Sequence, residues 1–481
     1  MILFRTIKTI IWAFAFLLLL SGCNESEKTK PNIVFILIDD MGWTDLGYMG
    51  SEYYETPAID NLAGQGMVFT NAYSNAANCA PTRASLLTGQ HPPRHNVYTV
   101  GTGARGNSKD RRLIPIQNSK EISFDKISIA ESLKKAGYNS AAIGKWNVGN
   151  KPEDHGFDYG IDRDELGIRG HFNKESGDYL TDLLTDEAIA FIQENNPHET
   201  GKPFFVYLAH HAVHTPIQAK EGLIEGFNDK DPFGCHDNAT YAAMIKSIDE
   251  SVDRINKTLD ELNLTKNTML VFFSDNGGHG TYTCQKPLRG GKGMFYEGGI
   301  RVPMFVSWPG NVKAGSTSDE PVIGTDFYPT FLELAGLDKP KNYPLDGQSI
   351  LPLINGERNQ EREPLFFNFP GYLQAYQGLT DESREPIFRT RPVSVIRKGD
   401  WKLLLFYEEW ILDGGVSNIH NNNAVELYNL KDDLGEQNNL SAIEIDKRDE
   451  LLEELLRWQK NIKAPIPMDP NPEYQSVDNL N

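Results

Sequence analysis

The sequence is poor in cysteine, in basic charge and in long apolar runs, and each shortage closes off a class of protein. Four cysteines in 481 residues are too few for a disulfide scaffold, so each is read in its own context. Lys and Arg number 47 against 66 Asp and Glu, a formal net charge of −19. An acidic surface repels nucleic acid and anionic lipid, so no nucleic-acid partner is expected and an anionic substrate needs a local positive pocket. Beyond the first residues nothing approaches the ~20 apolar residues of a membrane span, which excludes a multi-pass membrane protein. There is no long polar tract and no internal repeat, and a hydrophobic content of 39% excludes disorder and collagen and supports a large core.

Arg5 and Lys8 precede the apolar run Ile10–Leu20, which is short for a span and suits the h-region of a secretory signal. The run ends in Leu20-Ser21-Gly22-Cys23, which looks like a bacterial lipobox. The expectation is a lipoprotein signal peptide over 1–22, lipidation of Cys23, and a polar tether over 23–30. That predicts an exported lipoprotein at the outer membrane, cell surface or periplasm, touching the membrane only through its lipid. The plainer alternatives are an ordinary signal cleaved nearby, or a single anchor helix.

Asn32–Ile38 is an unbroken apolar run between Pro31 and two aspartates, the pattern of a parallel strand buried on both faces. Similar runs at Asn139–Ile143, Phe204–Leu208, Met269–Phe273 and, shorter, Val302–Val306 alternate with helical patterns such as Met244, Ile245, Ile248, Val252, Ile255 and Leu259. They predict an α/β fold over 31–360, with a large, mostly parallel sheet sandwiched by helices. From about Glu361 come shorter strand-like segments, Val393–Ile396 and Trp401–Phe406. A closing helix from about Lys447 carries Leu451, Leu452, Leu455, Leu456 and Trp458 in one stripe. These predict a smaller C-terminal α+β subdomain over 361–465, an antiparallel sheet plus a helix. Residues 466–481 read as a loose tail.

Ligands of open α/β sheets bind beyond the carboxyl ends of the strands. Those ends carry Asp39-Asp40, Gly144-Lys145-Trp146-Asn147, His210-His211-Ala212-Val213-His214 and Ser274-Asp275-Asn276-Gly277-Gly278. One such residue is usually a cap or a turn former, but four runs in one chain predict a site. Asp39, Asp40, Asp275 and Asn276 offer only hard oxygen ligands, favouring Ca²⁺ or Mg²⁺. A zinc site would need histidines at coordinating spacing, and neither metal-like cluster contains one.

Asn78-Cys79-Ala80-Pro81-Thr82-Arg83 leads into a helical segment closed by Thr88-Gly89, so Cys79 is expected at a helix N-terminus. There the backbone amides and helix dipole favour an anion, with Arg83 one turn on. Alone, such a cysteine is a buried or merely reactive thiol. In context the segment resembles the signature of the type I sulfatases of the alkaline-phosphatase superfamily, in which the cysteine is oxidised to Cα-formylglycine. Further blocks similar to that family's stand in family order. They are Pro31-Asn32 through Asp39-Asp40, Gly144-Lys145-Trp146, His214-Thr215-Pro216, Ser274 to Gly277, Pro287 to Gly293, Tyr296 to Pro303 and Glu426 to Leu430. The resemblance runs from about Pro31 to Trp458.

It implies a bacterial polysaccharide-sulfatase-like enzyme that hydrolyses sulfuric esters of a sulfated carbohydrate, such as algal ulvan or carrageenan or a host glycosaminoglycan. It also implies one Ca²⁺ ion and a formylglycine at residue 79, made by a formylglycine-generating maturation enzyme. Carried over residue by residue, Asp39, Asp40, Asp275 and Asn276 would hold the calcium with residue 79 completing the sphere. Arg83, Lys145 and Lys292 would surround the sulfate, and His214 would protonate the leaving alcohol. The chemistry agrees, since a sulfate ester needs its oxygens neutralised and its poor alkoxide leaving group protonated. A geminal diol at residue 79 could attack sulfur with one hydroxyl and expel sulfate with the other, splitting one hard step into two.

One departure stands out. Where the family commonly has histidine after Gly144-Lys145-Trp146, this chain has Asn147, an amide that holds a hydrogen bond but takes no proton at neutral pH. His210, His211 and His155 are candidates for a substitute, with a structural role favoured for His155. Asn368 before Phe369-Pro370, where many relatives place histidine, points to an altered substrate subsite. The loop carrying Arg105, Lys109, Arg111, Arg112 and Lys120 is a basic island, read either as a subsite for further anionic groups or as a solvated loop. Arg389, Arg391 and Arg397 are candidates to join it. Cys235 and Cys284 can pair or remain free. Two rival readings share these residues: a formylglycine-dependent phosphonate or phosphodiester hydrolase, and a degenerate glycan-binding lipoprotein.

Overall fold

The computed structural model describes residues 30–357, 362–376 and 382–475. The expected signal peptide, Cys23, nearly all of the tether, and the boundary expected near residue 360 lie outside the described residues.

The chain forms sixteen strands among the described residues. They are β1 (Asn32–Ile38), β2 (Met67–Phe69), β3 (Ala72–Tyr73), β4 (Asn139–Gly144), β5 (Tyr159–Ile161), β6 (Phe204–Ala209), β7 (Thr268–Ser274) and β8 (Met304–Ser307). Then come β9 (Ser316–Ser318), β10 (Val322–Ile323), β11 (Leu365–Phe369), β12 (Leu373–Gln374), β13 (Phe388–Thr390), β14 (Val393–Lys398), β15 (Trp401–Phe406) and β16 (Val425–Asn429). The main sheet has eight strands in the order β5-β4-β6-β1-β7-β8-β2-β9. Every pair is parallel except those made by β8, so the sheet is mostly parallel, as the apolar runs predict.

β1 shows why its run is unbroken. Ile33, Phe35 and Leu37 point into one core, with Ala84, Leu87, Ile129 and Phe327 from helices on that side. Val34, Ile36 and Ile38 point into the other, with Leu62, Leu184, Ile245 and Val252. A strand covered on both faces has no solvent side on which to place polar residues. The helix Ala239–Glu261 buries all six positions of the predicted stripe.

The second sheet is antiparallel, in the order β11-β14-β15-β16, and the closing helix Ile445–Ile462 packs Leu451, Leu452 and Leu455 against it. The stretch expected to be a loose tail is corrected as far as it is described. Ile114 N donates to Asp469 O, Asn471 N to Arg112 O and Gln475 N to Lys109 O, each at 2.9 Å. These bonds satisfy backbone groups of the basic loop, which is why the segment through Gln475 lies down on it. Cys235 and Cys284 form a disulfide, with Cα atoms 6.2 Å apart. It ties the loop before the helix Ala239–Glu261 to the loop leading into Lys292.

Candidate active site

Because β4, β6, β1 and β7 are neighbours and parallel, the four polar runs that follow them meet at one sheet edge. The backbone continues the ladder past the strands. Asp275 N donates to Ile38 O at 3.0 Å, Val213 N to Asp39 O at 2.9 Å and Lys145 N to Ala209 O at 2.8 Å. Gly144 has φ 94°, and a Cβ there would collide with the Ala209 carbonyl oxygen, so only glycine lets the Lys145 turn press against β6. Asp40 and Asn147 also adopt positive φ, 65° and 56°, a region that Asp and Asn tolerate better than most residues.

Cys79 opens the helix Cys79–Thr88, which Gly89 ends in a left-handed cap. The thiol is buried, and the Asn147 side-chain amide donates to Sγ at 3.3 Å. Lys145 Nζ is ion-paired with Asp39, and Lys292 Nζ lies 2.6 Å from the Asp40 carboxylate. Asn276 donates from Nδ2 to Asp40 Oδ1 at 2.8 Å. His214 Nδ1 is 2.7 Å from the Thr215 carbonyl oxygen, which leaves Nε2 facing Asp40 Oδ2 at 3.8 Å.

The electrostatics follow from this packing. Burial opposes ionisation of Asp39, but Lys145, then His214 and Arg83, overcome it and hold the carboxyl well below the usual range. Asp40 is lowered in the same way, with Lys292 the strongest cation acting against burial. Asp275 is pushed up to about 7 by burial and by the neighbouring Asp39 charge, against the pull of Arg83. Burial also raises the Cys79 thiol, so it is protonated at neutral pH.

Two buried oxygens at this edge, Asp39 Oδ1 and Asn276 Oδ1, have no hydrogen-bond partner among the described residues. Donor atoms of Asp39, Cys79 and Asp275 lie within 4.8 Å of one another, and so do those of Asp39, Asp40 and His214. Unpartnered buried oxygens beside carboxylates are what a hard cation requires, so the donor set fits calcium or magnesium.

Above the cluster opens a cleft of about 460 Å³ that reaches Cys79, Lys145, Asn147, His214 and Lys292. Several expectations need correction. Arg83 does not line the cleft. Fully buried, it donates from Nε and Nη2 to Asp275 Oδ2 at 2.9 and 2.6 Å, and from Nη1 to Lys145 O at 2.5 Å. It holds two site residues from behind, because a buried guanidinium is drawn to the nearest buried carboxylate. Arg112 pairs with Asp413 at 2.7 Å, and Arg391 with Glu385, Glu408 and Glu409. Arg111 donates to the carbonyls of Ala104, Arg105 and Gly106. Arg112 and Arg391 are ion-paired within the protein, Arg111 is turned onto backbone carbonyls, and none of the three lines the cleft, so they are structural rather than subsite residues. Arg397 lies over the Tyr73 ring, away from the cleft.

Of the histidines considered beside Asn147, His211 lines the cleft, its Nε2 2.6 Å from Asp162. His210 is buried on Ser251, and His155 stacks near Phe124 and Trp146. Sequence reasoning missed His171, His279, Arg163 and Tyr376, which also line the cleft. His279 follows the Gly277-Gly278 turn closely enough to have been included with that strand end. Tyr376 belongs to no motif, and its ring stacks on His279 at 3.9 Å.

A family model described as "Sulfatase" matches residues 31–337, and one described as "N-sulphoglucosamine sulphohydrolase, C-terminal" matches 290–461. The chain is 32% identical over 513 residues to a protein of Formosa agariphila named "Sulfatase", covering 89% of this chain and 87% of that protein. It is 32% identical over 379 residues to N-acetylgalactosamine-6-sulfatase of Homo sapiens, covering 70% of this chain and 68% of that protein. The crystal structure of Ps i-CgsB in complex with k-i-k-neocarrahexaose superposes with a TM-score of 0.70 at 29% identity, covering 94% of this chain and 96% of that one. With one family model spanning most of the chain, and relatives matched across both sheets, the chain belongs to the sulfatase family and is a sulfatase.

Proposed function

We propose that this sulfatase removes sulfate from a carbohydrate ester, with formylglycine at position 79 as its nucleophile. The observation that carries the reading is that Cys79 lines the same cleft as Lys145, Lys292 and His214, with the charges of both lysines acting on it. Formylglycine would supply, as its hydrate, an oxygen nucleophile where the protonated thiol is a poor one. Calcium, held by Asp39, Asp40, Asp275 and Asn276, would supply positive charge for the sulfate oxygens.

The chain's own residues do the rest. Lys145 and Lys292, both largely buried at the base of the cleft, present two cations to the non-bridging oxygens, where each counts for more than in bulk solvent. His214, with Nδ1–H donated to the Thr215 carbonyl and Nε2 turned toward Asp40 at the cleft, is the group to give a proton to the departing alkoxide. Asn147 holds the atom at position 79 by a hydrogen bond. Arg83 keeps Asp275 and the Lys145 turn in register.

A carbohydrate substrate is supported by relatives named for N-acetylgalactosamine 6-sulfate and by a neocarrahexaose complex at 29% identity. An oligosaccharide or polysaccharide, an algal galactan or a glycosaminoglycan, fits the open cleft. Export as a lipoprotein is supported by the lipobox-like Leu20-Ser21-Gly22-Cys23, and by the Cys235–Cys284 disulfide, which suits an oxidising compartment.

The test is mass spectrometry of the tryptic peptide containing Cys79 from the native host, beside sulfate release from sulfated glycans. A loss of about eighteen daltons at Cys79 together with released sulfate is expected. An unmodified cysteine with no sulfate released would leave a glycan-binding protein on a sulfatase fold. Calcium has its own readout. Its addition to chelator-treated protein is expected to raise the thermal midpoint, by about 2.7 kcal/mol of stability at a hundred times Kd. An Asn276→Leu chain is expected to lose most of that gain, and absence of any shift with Ca²⁺ or Mg²⁺ would refute the metal assignment.

A further inference from the structure

Five cationic side chains line the cleft, Lys145, Lys292, Arg105, Arg163 and Arg389, in a protein of net charge −19. Lys145 and Lys292, already assigned to the sulfate, are ion-paired with Asp39 and Asp40, and Arg163 lies 3.7 Å from Asp164. Arg105 and Arg389 pair with no carboxylate among the described residues. Arg105 Nη2 donates to Val100 O at 2.5 Å. Arg389 is buried, with 4% of its surface exposed. It donates to the carbonyls of Gln374 and Lys292 at 2.9 and 3.1 Å and to the Tyr376 hydroxyl. Its guanidinium carbon lies over the Tyr376 ring, 3.8 Å from the centroid.

The two arginines are carried together. Arg389 is on β13, which pairs with β12, and Arg105 is on a loop whose Ala104 bridges Tyr372 just before β12. Gly293, at φ 90°, leaves room for this packing, since a Cβ there would stand 2.6 Å from Arg389 Nη1. The ribbon thereby holds a second cation against the Lys292 backbone, at the same cleft. Burial draws the Arg389 pKa down, Tyr376 offsets this in part, and the Arg105 charge lowers it further, so the two guanidiniums feel each other. Like charges held together in a half-closed cleft are unfavourable until an anion arrives.

We infer that Arg105 and Arg389 form a second anion subsite beside the sulfate pocket, selecting saccharides that carry another negative group near the ester. This rests on the sulfatase reading for its substrate class, and its ligand is a second sulfate or a uronate carboxylate. The antiparallel ribbon and the loop bridged to it, rather than the main sheet, supply it.

The experiment measures binding to the full chain carrying Cys79→Ala, so that no turnover intervenes, by calorimetry at low salt. One arm compares iota- with kappa-carrageenan oligosaccharides, which differ by a second sulfate. The other compares a singly sulfated chondroitin disaccharide with its uronate methyl ester. In at least one arm the ligand with the additional charge is expected to bind about tenfold tighter, a preference that Arg105→Gln collapses and Arg105→Lys partly keeps. No preference in either arm, or a preference that survives Arg105→Gln, would overturn the subsite. If the preference holds but matured wild-type protein releases no sulfate from any ester, the hydrolase reading fails and the subsite stands.

Discussion

Cys79→Ala is expected to lower sulfate release by at least about 10⁴-fold, while the protein stays folded. The thiol occupies the first position of a buried helix, in contact with Asn147, and alanine fills nearly the same space. The cost in stability is on the order of 1 kcal/mol, too little to explain the loss of activity. A second comparison separates chemistry from packing. Because burial raises the thiol pKa, the unmodified cysteine is a neutral, hydrogen-bonded group at pH 7, and it lacks the paired oxygens of an aldehyde hydrate. Wild-type protein made without a maturation enzyme is therefore expected to be as inactive as Cys79→Ala, and protein made with one to exceed both. Initial rates of sulfate release, with thermal melts of all three forms, check this. Activity retained by Cys79→Ala would move the nucleophile elsewhere in the cleft.

Lys402→Met is expected to destabilise the protein by roughly 3–5 kcal/mol, the largest effect anticipated outside the site. Lys402 on β15 is fully buried between Glu297 and Glu436, at 3.0 and 2.9 Å. Its loss leaves buried carboxylates with no lysine between them. Glu297 also accepts from Tyr73 and pairs with Arg301, and it lies beside Gly298 and Gly299, against which the turn after Asn276 is packed. The variant should therefore melt earlier. The two glutamates are not equivalent. Lys402, Arg301 and Arg397 overcome burial to pull Glu297 down to about 2, whereas burial pushes Glu436 up from 4.5 to about 7. At mildly acidic pH the triad is one cation, one anion and one neutral acid. Glu436 keeps its proton longer in the folded state than in the unfolded one. The stability it contributes is present below about pH 4.5 and is lost as pH rises through about 7. Glu436→Gln is expected to flatten that slope at little cost, and melts across pH 4.5 to 8 would show it. A Lys402→Met chain that melts with the wild type would show that Arg301 and Arg397 already neutralise the pair.

Much of the fold was legible because burial on two faces leaves a plain mark. β1, β4, β6 and β7 read as apolar runs, and the polar residues after them had to converge once the strands were parallel neighbours. β2, β5 and β9 were not legible, since strands of three residues carry no period. The helix under Cys79 followed from proline and glycine at its two ends. Arg83 was expected on the sulfate, and the tertiary structure turned it inward onto Asp275.

By itself the sequence determined which strands are covered on both faces, which strand ends hold carboxylate, amide, lysine and histidine, and where a helix presents Cys79. These depend on local pattern, which a few consecutive residues define. Only the tertiary structure decided which arginines are paired with carboxylates. Arg112 found Asp413, 301 positions away, and Arg391 found three glutamates, while Arg105 and Arg389 met none among the described residues. Charge pairing acts through distance in space, and a pair such as Arg112 with Asp413 meets only once the chain is folded.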